Sequence, residues 1–132
     1  MLHKVLVSDL RIKYIKGTAV DMYLECDELM TIIFHHAKLY DDYLDARDEK
    51  MAEFHYKGVL MLGKILNDTI DEHFELRDKL ALIGKASSLC LRMQQEAKHE
   101  KIKKQCYKMQ VMYNGLATHH INLALLKNMP VT

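Results

Sequence analysis

The chain has 132 residues, 49% apolar and 28% charged, and a net charge of +1. That is one domain able to bury a core of its own, which excludes a disordered chain and a disulfide-stapled miniature. No stretch reaches 18 uninterrupted apolar residues, so no membrane span is expected, and a sequence pI near 7.8 is low for a nucleic-acid module.

One proline and five glycines make few breaks, which favours long helices. Residues 1–16 are ambiguous: Leu10, Ile12 and Tyr14 alternate like a strand, while Leu6, Leu10 and Tyr14 fit a helical stripe. The first segment, MLHKVLVSDLRIKYIKG, lacks the apolar core and cleavage site of a signal peptide. Gly17 ends it, and Thr18 with Asp21 resembles a capping box that starts a first helix. That helix runs to about Leu44, with Ala19, Met22, Tyr23, Cys26, Leu29, Met30, Ile33, Phe34, Ala37 and Tyr40 on its apolar stripe. Asp21, Glu25 and Glu28 fall off the stripe.

Asp45–Asp48 reads as a turn, with Asp48 capping a second helix and Glu49 in its positive first turn. Met51, Phe54, Val59, Leu62 and Leu66 give its buried side. Asn67, Asp68 and Thr69 predict the next turn, because their side chains compete for backbone donors. A third helix follows on Phe74, Leu76, Leu80, Ile83, Ala86, Cys90, Met93 and Ala97. The polar run 94–105 is either a tight corner near His99 or unbroken helix. The last helix carries Ile102, Cys106, Met109, Met112, Tyr113, Leu116, His120, Leu123 and Leu126, with Pro130 beyond its end. Gly58, Gly63, Gly84 and Gly115 sit inside helices, each costing about 1 kcal/mol relative to alanine, so close helix approach is expected at all four. Four helices with short turns predict an all-α fold, an antiparallel up-and-down four-helix bundle over 1–132 as a single domain.

The charge is unevenly spread. Residues 18–49 hold Asp21, Glu25, Asp27, Glu28, Asp41, Asp42, Asp45, Asp48 and Glu49 against Lys38 and Arg47. Residues 92–108 hold Arg92, Lys98, Lys101, Lys103, Lys104 and Lys108 against Glu96 and Glu100. Such blocks bear on association.

Three candidate chemistries follow. A di-metal bundle needs two Glu-x-x-His motifs and two further glutamates, and only Glu96–His99 has that spacing, so no metal site and no cofactor are expected. A zinc site from His35 or His36 with His119 or His120 requires the first and last helices to be neighbours in register. Cys26, Cys90 and Cys106 are odd in number and far apart, which suits buried free thiols in a reducing, intracellular compartment (cytoplasmic or nuclear).

Arg92 and His99, six residues apart, resemble the Arg-x(4–6)-His motif of HEPN-type ribonucleases, small all-helical proteins that usually work as dimers. The resemblance implies an arginine that stabilises phosphate charge and a histidine that does acid–base work at the scissile 2′-hydroxyl, though Met93 stands where the family usually has a polar residue. The stretch 98–108, with His99 and Tyr107 interleaved, also suits weak, salt-dependent RNA contact.

Nine methionines suit either an adaptable core or a groove that receives a partner helix. With no phosphate loop and no nucleophile elbow, the leading expectation is a non-catalytic helical-bundle interaction module, a scaffold or adaptor acting by self-association as a homo-oligomer or by docking a partner helix. Its expected binding residues are Arg92, Lys98, His99, Lys101, Lys103, Lys104 and Lys108. The alternative is an RNA-binding protein or a HEPN-like, metal-independent ribonuclease using Arg92 and His99.

Overall fold

The computed structural model of the protein describes residues 19–128. The N-terminal segment 1–16, the Thr18 cap and Pro130 lie outside them. Four helices and no strand occur among the described residues: α1 (Ala19–Asp45), α2 (Glu49–His73), α3 (Leu76–Glu96) and α4 (Glu100–Asn128).

Cys26, Leu29, Met30, Ile33, Ala37 and Tyr40 form the buried stripe of α1, as their spacing predicts. Glu25, expected off the stripe, is buried as well, one turn from Met22 and Leu29. The helix ends in a hydrogen-bonded wrap: the Asp48 amide donates to the Tyr43 carbonyl at 2.8 Å and the Arg47 amide to that of Leu44 at 3.0 Å. This closure sets one residue in the left-handed region, usually glycine, and here Arg47 takes it at φ 60°. Asp48 then caps α2, its Oδ1 accepting from the Met51 amide at 3.1 Å.

The turn expected at Asn67–Thr69 does not form. Helix α2 runs through it to His73, and the chain turns at Phe74 and Glu75. Leu66 and Ile70 are fully buried and carry the stripe across those polar residues. The Thr69 hydroxyl donates back to the Ile65 carbonyl at 2.7 Å, satisfied inside the helix rather than at a cap. Of the alternatives for 94–105, the corner is the one that forms, at residues 97–99.

Consecutive helices run antiparallel, and α1 packs chiefly on α2 and α3 on α4. The two hairpins stack with α1 beside α3, joined by Asp27–Lys85 at 3.4 Å and Lys38–Glu96 at 3.6 Å. Likewise α2 lies beside α4, joined by Glu53–Lys101 at 3.0 Å and Asp71–His120 at 2.7 Å. Ile33, Val59, Leu62, Leu66, Leu82, Ile83 and Ile102 fill the space between them. Tyr113 is buried there and donates its hydroxyl to the Gly63 carbonyl at 2.9 Å. The three cysteines are free and buried, and burial pushes each thiol up to about 12.

Two of the four helical glycines mark close approaches. A Cβ at Gly58 would stand 3.1 Å from His36 Nδ1, and one at Gly63 would stand 2.7 Å from the Met109 methyl. The other two do not: Gly84 and Gly115 have nothing within 4 Å of an added Cβ. Their cost to the helix is unexplained by packing among the described residues.

The stripe read for α4 is also too wide. Ile102, Cys106, Met109 and Tyr113 are buried, but Met112, Leu123 and Leu126 are exposed, and no described residue beyond Tyr113 is buried. In α3, Leu76 is exposed and Leu82 takes the core position instead.

Candidate functional site

Three of the basic residues singled out by sequence, Lys98, His99 and Lys101, gather where α1, α2 and the start of α4 meet. The corner at 97–99 leaves the amides just before α4 without helical partners, and α1 supplies them from a buried carboxylate. Asp41 accepts from the Lys98 amide at 2.9 Å and the His99 amide at 3.2 Å, one oxygen to each. A negative charge on a helix N-terminus is favourable for the dipole as well as for the amides. One turn on, Asp45 takes His99 Nε2 at 2.7 Å and Lys98 Nζ at 3.3 Å. These contacts, the His99 bond foremost, hold the Asp45 carboxyl below the usual range.

Lys101 reaches Glu53 on α2 at 3.0 Å and lies over the Tyr56 ring at 4.2 Å. Arg92 bonds Glu96 at 2.8 Å, with its guanidinium 4.6 Å from the Phe34 ring centre. Arg92 and His99 therefore face different partners, and no hydrogen bond joins them. Four of the seven predicted binding residues, Arg92, Lys98, His99 and Lys101, are thus held by acids of the same chain. Lys103, Lys104 and Lys108 make no ion pair among the described residues.

The histidines do not converge. His36 Nδ1 lies 2.8 Å from His55 Nδ1 in the buried α1–α2 seam, with Tyr43 stacked on His55. One ring donates and the other accepts in this bond. His120 bonds Asp71, and His119 stands beside His120. The zinc pairing of His35 or His36 with His119 or His120 is therefore not assembled. No group of three or more histidine, cysteine or carboxylate side chains is placed to hold a metal ion among the described residues. No helix among them is long and apolar enough to cross a membrane.

A second surface, missed by the basic-patch reading, lies on the outer side of the α3–α4 hairpin. Tyr107, Val111, Asn114, Thr118, Ile121 and Leu125 recur along α4 at alternating spacings of four and three, and all are exposed. Val111 is 53% and Leu125 61% exposed, values foreign to a core stripe. Ser87 of α3 donates to Asn114 at 3.0 Å and ties the two helices on this side. By helical spacing, Leu91 and Gly84 share the Ser87 face of α3, and Gly115 borders the α4 row. Residues 109–126 contain no Asp, Glu, Lys or Arg in a chain that is 28% charged. That run is readable in the sequence, but the stripe read for α4 leaves Tyr107, Val111, Ile121 and Leu125 out.

Comparison with protein-family models, with curated proteins and with solved structures finds no match to this chain.

Proposed function

We propose that this protein is a non-catalytic interaction module that works through the outer face of α3–α4. One observation carries the reading: an apolar row along α4, free of charge over 109–126, with Gly84 and Leu91 of α3 beside it, which no other described residue covers. Depletion of charge with retention of Tyr, Met and aliphatic residues is the composition of interface cores. An apolar patch of this extent on a small domain marks a contact site. Lys104 and Lys108 border it and are free to set the orientation of whatever docks. Three buried free thiols suit an intracellular, reducing setting for this role.

The test uses the full chain as bait in three forms: wild type, Val111→Glu with Leu125→Glu, and Lys103→Glu with Lys104→Glu. The apolar-face variant is expected to lose the wild-type set of bound proteins, further copies of this chain included. The basic variant is expected to hold the same set more weakly, because Lys104 orients docking without supplying most of its energy. An unchanged set on the apolar-face variant overturns the proposal.

A further inference from the structure

The proposed module leaves open what it binds, and the inference here rests on that reading. We propose that the outer α3–α4 face docks a second copy of this chain, antiparallel, about a two-fold axis near Ser87 and Asn114.

The extent of the face supports a copy as the occupant. It is two helices wide and spans the length of α3, about 600 Å² in projection at 1.5 Å rise and 10 Å width per helix. Each partner of a stable interface contributes roughly 800 Å² of accessible surface. A two-fold dimer of this hairpin face therefore comes close to that area, since accessible surface exceeds its flat projection, whereas a single docked helix covers only part of it.

The pattern on the face is self-complementary. The row from Tyr107 to Leu125 follows the alternating spacing of a helix–helix seam, with Asn114 at its centre. A polar residue at one seam position fixes register, and the Ser87–Asn114 bond holds it there. Gly84 and Gly115 lie within about two helical turns of that centre and have open space above them. Inside one chain these glycines only weaken their helices. Between two chains they let the central backbones approach while Tyr107 and Leu125 pack to either side.

Charge selects the antiparallel sense. Lys104 and Lys108 lie towards the end of the face where α4 begins. A parallel pair would set these lysines of both copies against each other. The antiparallel pair carries Lys104 about 15 Å beyond the axis, level with the start of the partner's α3, by helical rise alone. There Glu75 and Asp78 flank Arg77, and neither acid has an ion pair in its own chain among the described residues.

Light scattering and sedimentation of the purified full chain, from low to several hundred micromolar, test the idea. The expected mass is twice the 15.4 kDa chain. Val111→Glu with Leu125→Glu should return a monomer with unchanged helical content and a melting temperature independent of concentration, since both side chains are exposed in the single chain. Gly84→Leu with Gly115→Leu fills only open space, so it should fold at least as stably while weakening association by roughly tenfold or more. A single-chain mass at every concentration overturns the second copy. So does a dimer that both variants leave intact. If the pure protein is monomeric yet the bait experiment shows binders that depend on the apolar face, the module stands and a foreign partner is its occupant. If neither appears, both proposals fall.

Discussion

At the scale of single residues, Asp41 does the most for the least sequence. One buried carboxylate on α1 closes two corner amides immediately before α4 and lies against the positive end of that helix. Caps of this kind stabilise by about 1 kcal/mol, and a buried charge-assisted pair by more, so Asp41→Ala should lower unfolding stability by about 2 kcal/mol in urea titration. Asp41→Asn keeps one acceptor and should lose about half as much. Asp45 gives the pH dependence. Its folded-state carboxyl is held below the usual carboxylate range, first by the His99 hydrogen bond. A depressed carboxylate stabilises the fold fully above the unfolded value, and this support fades as pH falls through the lower folded one. Wild-type stability should therefore decline below about pH 4 more steeply than that of Asp45→Asn, read as melting temperature against pH. Equal slopes would remove Asp45 from the account.

At the scale of helices, the glycines separate two kinds of contact. Gly58→Ala gains helix propensity worth about 1 kcal/mol. Its Cβ meets the His36 ring at 3.1–3.2 Å, and that ring is fixed by His55 at 2.8 Å, so it yields poorly. Overpacking of a rigid neighbour costs about 1–3 kcal/mol, and a net loss near 1 kcal/mol is expected on denaturant unfolding. Gly115→Ala, in the Val111→Glu, Leu125→Glu background, should instead gain up to about 1 kcal/mol, because nothing lies within 4 Å. Sequence alone could place all four glycines in helices but not say what faced them, since that depends on the register between helices. The same limit explains Asn67–Thr69. Local preference favours a turn there, and Leu66 and Ile70 override it because both reach the core. The stripes of α1 and most of α3 were legible because each helix buries one continuous face. Helix α4 was not, because it is apolar on two.

For the whole molecule, the sequence showed an acidic block and a basic block, and spacing could not tell whether they meet within one chain or between two. The fold turns much of the charge inward: Asp41 and Asp45 meet Lys98 and His99, and Glu53 on α2 meets Lys101. These ion pairs are about half exposed, so each contributes little and is screened by salt. Association through the outer α3–α4 face rests mainly on apolar burial, which sodium chloride does not weaken. The two effects separate in one titration. Raising salt from low to molar should lower the melting temperature of the monomeric Val111→Glu, Leu125→Glu variant by a few degrees, the shift that about 1 kcal/mol produces in a domain of this size. Over the same range the wild-type dimer should hold its mass. Lys101→Glu places a second acid beside Glu53 and should cost stability without changing association, whereas Lys104→Glu should weaken association without changing stability. A wild-type dimer that dissociates in high salt would return the binding energy to the charged blocks and away from the apolar face.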